Sequence, residues 1–211
     1  MVQNTSHAVM SQRSEARDSL DDFPTPPWAT RALMEHILPE VRGGVVLEPA
    51  CGRGYMARPL GEYFSVVHAS DICDYGYGDV RDFTDESYQP EVDWVITNPP
   101  FKAAELFIDR GLSIAQNGVA VFVRTVFLES IGRYNRLFKD KPCDVFAQFA
   151  ERVPLVKGRV DPLATTATGY CWLIWRKNSR NPPQLSWIPP TRRRLERAGD
   201  YEHVASAPSP R

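Results

Sequence analysis

The chain has 211 residues, 43% of them hydrophobic, which suits one domain of ordinary size with a buried core. Its formal net charge of -1 excludes a polyanion binder recognisable from composition alone, so any nucleic-acid reading must rest on local charge and motifs. Charge is unevenly placed: Glu62 to Asp109 holds eleven acidic and two basic residues, whereas Arg124 to Arg159 holds eight basic and four acidic. The first stretch suits a small organic ligand and the second a polyanion. Cys51, Cys73, Cys143 and Cys171 follow no compact zinc spacing and read as reduced thiols. The apolar runs fall far short of the ~18 residues needed to span a bilayer, so no membrane role is expected.

In chain order, residues 1–21 are polar and Ser-rich and are expected to be disordered. Thr25 before Pro26 predicts a helix start, with the Thr25 hydroxyl as its cap. Leu33, Met34, Ile37 and Leu38 then form one apolar face. Val45-Val46-Leu47 predicts a buried strand leading into Glu48-Pro49-Ala50-Cys51-Gly52-Arg53-Gly54. A short helix interrupted near Pro59 follows, then a strand over 65–70 ending at Asp71. After an acidic turn region with Asp79, Asp82 and Phe83, Val92 to Thr97 is a strand that delivers Asn98.

Ala103 to Ala115 suits a helix, and Val119 to Val123 is apolar throughout, as in a parallel strand covered on both faces. Phe127 to Phe138 predicts another helix. Val145 to Phe149 and Tyr170 to Trp175 predict two final strands, paired antiparallel. The connection between them, 150–169, is long for a hairpin and reads as functional or mobile. Beyond 177 the chain turns proline-rich and basic, which predicts an arm over 178–211 after a catalytic domain at 22–177. Alternating strands and helices give an α/β sandwich.

Two motifs carry chemistry. The first is the 48–54 loop, placed after a strand and before a helix, where open α/β sheets bind ligands. Gly52 and Gly54 permit close approach of a ligand to the backbone. Glu48 repels phosphate and suits a ligand with a positive amino group. Asp71, with Ile72 beside it, sits where a carboxylate accepts hydrogen bonds from ribose hydroxyls. Asp82 can accept from an adenine amino group, and Phe83 can cover a ring face. Together they describe a site for S-adenosylmethionine.

The second motif is Asn98-Pro99-Pro100-Phe101. An adenine amino group is a poor nucleophile because its lone pair is delocalised into the ring. The Asn98 side-chain oxygen and the Pro99 carbonyl are acceptors that favour the tetrahedral nitrogen. The prolines stiffen the loop, and Phe101 offers a face on which a flipped-out base can stack. Arg124 at a strand end, with Arg133, Arg136, Lys157 and Arg159, are candidates to hold a nucleic-acid backbone.

On these motifs the chain resembles the class I, Rossmann-like adenine-N6 methyltransferases. Their hallmark is an Asn/Asp/Ser-Pro-Pro-Tyr/Phe motif after the fourth strand. The resemblance covers about residues 22–176 and follows the gamma motif order. It implies a mostly parallel seven-stranded sheet with a final antiparallel hairpin and helices on both faces. It also implies that Phe23-Pro24-Thr25-Pro26-Pro27 packs against the methionine part of the cofactor, making Thr25 and Pro26 contacts. The implied activity is methyl transfer to adenine N6 in DNA, leaving S-adenosylhomocysteine. RNA adenine, a protein glutamine amide and a non-catalytic binding role are the alternatives. The separate recognition domain common in the family has no counterpart after Arg176. The pattern is also similar to small phage and prophage members, which implies a bacterial or infected-host cytoplasm.

Overall fold

The computed structural model describes residues 21–179 and 181–205. The expectation of disorder over 1–21 therefore falls, Asp21 apart, outside the described residues. The first helix, α1 (Pro27–His36), precedes β1 (Val45–Glu48), the short α2 (Ala57–Leu60), β2 (Val66–Asp71), β3 (Asp79–Val80) and β4 (Val92–Thr97). Then come α3 (Ala104–Ile114), β5 (Ala115–Arg124), a 3-10 turn over Thr125–Leu128, α4 (Ile131–Arg133) and a π turn over Tyr134–Phe138. The chain ends with β6 (Val145–Phe149), β7 (Tyr170–Arg176), β8 (Gln184–Ile188), α5 (Arg192–Leu195) and a 3-10 segment over Ala198–Ala205.

These strands form one eight-stranded sheet in the order β3-β2-β1-β4-β5-β7-β6-β8. The pairs from β3 to β5 are parallel. Strand β7 inserts antiparallel between β5 and β6, with Phe122 opposite Trp172 and Ala147 opposite Trp172 on its other side. Hence β6 runs parallel to β5, and the 150–169 connection leaves the same sheet edge as Asn98 and Arg124.

The central strands are apolar on both faces because helices cover both. Side chains alternate with a period of two. Ala120 and Phe122 of β5, with Trp172 and Ile174 of β7, pack on Trp28 and Leu33 of α1. Val119, Val121 and Val123, with Cys171 and Leu173, pack on the other side against Phe107 and Ile108 of α3. Trp28 and Trp172 are both fully buried, and the Trp172 indole donates to the Ala29 carbonyl at 3.2 Å.

Several expectations change. Thr25 is not a helix cap. Pro26 occupies that position without a side-chain bond, and the helix opens with Pro27, whose missing N–H costs nothing in a first turn. The helix expected over 127–138 is broken because Ser130 starts a new one, its hydroxyl accepting from the Arg133 N–H at 3.3 Å. The apolar spacing that suggested one helix survives as two anchors, Phe127 and Phe138, whose rings meet edge to face at 6.1 Å.

The sheet has eight strands rather than seven. The extra one, β8, comes from the segment read as an arm and lies parallel to β6, from Val145 opposite Gln184 to Phe149 opposite Ile188. Beyond it, α5 packs on α1 and buries Leu195. Arg31 of α1 locks this segment in place. Its guanidinium takes both Asp200 carboxylate oxygens at 2.8 Å, the Leu195 carbonyl at 2.8 Å and Glu62 at 2.9 Å and 3.0 Å. All five donors of the guanidinium are thereby used.

Candidate functional site

At the carboxyl ends of β1, β2 and β4 lies a cavity of about 780 Å³. Its floor is the 48–54 loop. Asp71 ties this loop down: one carboxylate oxygen accepts from the Gly52 N–H at 2.9 Å and the other from the Cys73 N–H at 3.1 Å. Gly54 adopts φ +81°, and a Cβ there would sit 2.6 Å from the Tyr77 ring. Only glycine fits, since the left-handed region and the close approach coincide.

Glu48 closes the floor. It is 1% exposed, and one oxygen accepts from the Thr97 hydroxyl at 3.2 Å. Its other oxygen is buried without a partner. Burial, reinforced by the nearby Asp71 charge, pushes its carboxyl up to about 8. Asp71 is also shifted upward by burial, although its backbone donors oppose the shift. Burial likewise raises the Cys51 thiol, which makes it a poor nucleophile. Two more cavity-lining residues carry buried hydroxyls without partners, Thr25 and Tyr55. Unpaired buried polar atoms are costly, so three of them around one cavity mark a place where a polar ligand replaces water.

The 98–101 loop forms the opposite rim. The Asn98 side-chain nitrogen donates to the Phe23 carbonyl at 2.8 Å. This fixes the amide orientation and leaves the side-chain oxygen as an acceptor. Phe101 lies beside Phe23, ring centroids 5.7 Å apart, and the Arg124 guanidinium sits 4.1 Å over its ring. The Phe101 N–H donates to the Asp21 carboxylate at 3.0 Å.

Residues 21–23 are thus a strap across the mouth. Asp22 forms an ion pair with Arg53 of the floor at 2.7 Å, and its carbonyl accepts from Gly158 of the 150–169 loop at 2.8 Å. One short segment touches the glycine loop, the Asn98 loop and the long connection.

Of the residues expected to hold a cofactor, Thr25, Glu48, Pro49, Ala50, Gly52, Asp71, Ile72, Asp82 and Asn98 line the cavity, as does Pro100. Pro26 and Gly54 do not line it. Phe83 does not face it. It is 2% exposed and packs on Phe107 at 5.0 Å, so it is a core residue, and Phe107 contributes to the lining instead. Asp82 lies at the wall but accepts from both the N–H and hydroxyl of Thr84. Among the basic candidates, Arg124 touches the Asn98 loop. Arg133 and Arg136 pair with Glu105, and Arg159 turns to Asp161 within its own loop. Lys157 is half-buried in that loop and does not line the cavity.

Sequence reasoning missed Asp21, Asp22, Tyr55 and Tyr75. Tyr55 had a signal, since it directly follows Gly54. The strap acids had none, because their roles depend on contacts with residues 31 and 80 positions away.

No family model matches the sequence, and no curated protein matches it. Solved structures do resemble the fold. A provisionally named RNA methyltransferase of Pyrococcus horikoshii superposes with a TM-score of 0.53 at 16% identity, covering 84% of this chain and 98% of that one. A Thermoplasma acidophilum protein gives 0.53 at 21% identity, over 76% and 93%. A provisionally named hemolysin of Lactococcus lactis gives 0.51 at 13% identity, over 77% and 91%. With its sheet order and a ligand-sized cavity at the strand ends, the chain has the Rossmann-like α/β fold of class I methyltransferases.

Proposed function

We propose that the protein is an S-adenosylmethionine-dependent methyltransferase that modifies the exocyclic N6 amino group of adenine in DNA. The observation that carries this reading is the Asn98 side chain. Its amide is pinned by the Phe23 carbonyl, so that its oxygen is an acceptor at the rim of the cavity that Glu48 and Asp71 also line.

The residues present fit the cofactor. The partnerless oxygen of Glu48 matches the ammonium of its methionine part, and pairing would stabilise the ionised carboxylate that burial disfavours. Thr25 and Tyr55 offer hydroxyls nearby, and Asp71, although it holds the loop, retains lone pairs for ribose hydroxyls. The acidic floor disfavours the phosphates of a dinucleotide. When bound, the cofactor supplies an electrophilic methyl group on a sulfonium.

The chain's own residues then prepare the nucleophile. The Asn98 side-chain oxygen and the Pro99 carbonyl accept the two N–H bonds of the target amino group. That pulls its lone pair out of conjugation and toward the methyl donor. Two fixed acceptors need no reorganisation as charge develops, and one such group is typically worth about 10²–10³ in rate. Phe101 stacks the base, and Arg124 packed on its ring steadies it as a platform. The amino proton leaves to solvent after transfer, so no side-chain base is needed.

Incubating the protein with methyl-labelled cofactor and separate DNA, tRNA, rRNA and protein pools tests the proposal. Digestion should place the label on N6-methyladenine from DNA. Asn98→Ala should lose transfer by at least about 10²-fold while its cofactor Kd stays within a fewfold. Full activity in that variant would remove Asn98 from the mechanism. RNA adenine is the second reading, favoured by the name of the Pyrococcus horikoshii neighbour, and label in RNA alone would select it.

A further inference from the structure

Most basic side chains near the mouth are already neutralised. Arg53, Arg133, Arg136 and Arg159 each hold a carboxylate within 3.3 Å. Two arginines depart from this pattern. Arg124 stacks on Phe101, and its Nε is buried without a partner. Arg152, just past β6, is exposed and forms no ion pair among the described residues.

The two arginines flank the same dipeptide, Gly169-Tyr170, at the start of β7. Arg124 stands opposite Tyr170 in the sheet register. Arg152 lies against Gly169, where a Cβ would come 3.2 Å from its Nη1 and 2.9 Å from the Thr125 hydroxyl. The Thr125 N–H in turn donates to the Gly169 carbonyl at 3.0 Å. The Thr125 hydroxyl turns to the same carbonyl at 3.5 Å, so the Arg152 guanidinium packs on a fixed Gly169, one residue from the Tyr170 that Arg124 faces. Neither Asp21 nor Glu151 forms an ion pair with these arginines among the described residues. Asp21 accepts from the Phe101 N–H, and Glu151 accepts from the N–H groups of Thr191 and Arg192.

We infer that Arg152, with Arg124, forms a phosphodiester-binding clamp that holds the nucleic-acid backbone beside the target nucleotide. This deepens the proposed function and rests on it for the polymer bound. Two guanidinium groups without carboxylates at one rim repel each other, and an anion relieves that repulsion. A guanidinium matches phosphate oxygens in a bidentate fork. Gly169 sets the geometry, since any side chain there would push Arg152 off the rim.

The test uses the full chain and a fluorescein-labelled DNA duplex containing adenines, with an RNA strand of the same sequence in parallel. Binding is read by anisotropy across a salt series, and methyl transfer is measured on the same oligonucleotides. Arg152→Ala should weaken duplex binding roughly 10-fold and lower the slope of log affinity against log salt by about 1. The KM for DNA should rise while kcat and the cofactor Kd stay unchanged. Arg152→Lys should restore the salt slope but only part of the affinity. Gly169→Ala should behave like Arg152→Ala. Unchanged affinity and salt slope in Arg152→Ala would overturn the clamp. Wild-type binding to neither polymer would overturn it too. Wild-type binding with the expected Arg152 effect, but no methyl transfer, would leave the clamp standing and sink the catalytic proposal. Tighter binding of the RNA strand, with the same Arg152 dependence, would keep the clamp and change its polymer.

Discussion

The two rims of the cavity are built on opposite principles. On the floor side, Glu48 is a buried acid and Asp71 a half-buried one, and the chain wraps them in backbone donors or leaves them short of partners. On the Phe101 side, Arg124 and Arg152 are cations without carboxylates. The floor therefore selects a ligand that brings positive charge and hydroxyl donors, while the outer rim selects one that brings negative charge. A near-zero net charge hides this, because the two regions cancel in the sum.

If the rims are independent devices, each can be damaged without the other. The largest expected effect comes from Arg31→Met. It leaves the buried Asp200 unpaired and should cost about 3–5 kcal/mol of stability, read as a fall in denaturation midpoint. Because α1 follows directly from Thr25, the loss should also weaken cofactor binding more than duplex binding. Equal weakening of both would show that the rims share one support.

Gly54→Ala comes next. It forces a left-handed alanine against Tyr77 and should cost about 2 kcal/mol, a roughly 30-fold loss of cofactor affinity by calorimetry. Duplex anisotropy should not change. Phe101→Ala should do the reverse. A lost base stack of about 1–3 kcal/mol raises the KM for DNA roughly 10-fold, with the cofactor Kd preserved.

The smallest effect concerns pH. The folded Glu48 carboxyl titrates at about 8, above the ordinary carboxyl value. Between those values the native state holds a proton that the unfolded chain lacks, so this residue's contribution to stability falls as pH rises through that window. Pairing with an ammonium needs the ionised form. Cofactor affinity should therefore rise roughly fivefold from pH 7 to pH 8 and then level off. Glu48→Gln should flatten both profiles, and a flat wild-type profile would break the assignment of this carboxylate.

The parts of the molecule that local pattern encodes were legible in advance. The strand over Val92–Thr97 has the expected bounds, because a largely apolar run before a rigid turn has few other fates. The floor loop and the Asn98 loop lie across one cavity, since consecutive parallel strands must deliver their ends to one edge. What could not be read depends on distant partners. Phe83 looked available as a ring cover, but a core position against Phe107 claims it. Thr25 looked like a cap, yet its hydroxyl is buried without a partner in the cavity lining. Strand β8 carries exposed Leu185 and Trp187 between proline pairs, a pattern that suggests an arm until β6 offers it an edge.

The clasp around Arg31 also has a consequence in time. Its two carboxylates are made at very different moments, Glu62 soon after Arg31 and Asp200 at a separation of 169 residues. At about 5–20 residues per second of synthesis, the second arrives roughly 10–30 s later. Until then α1 has neither α5 nor Asp200 to pin it, although the glycine loop and the Asn98 loop have already emerged. The nascent chain thus carries both of its chemical motifs well before the helix behind them is fastened.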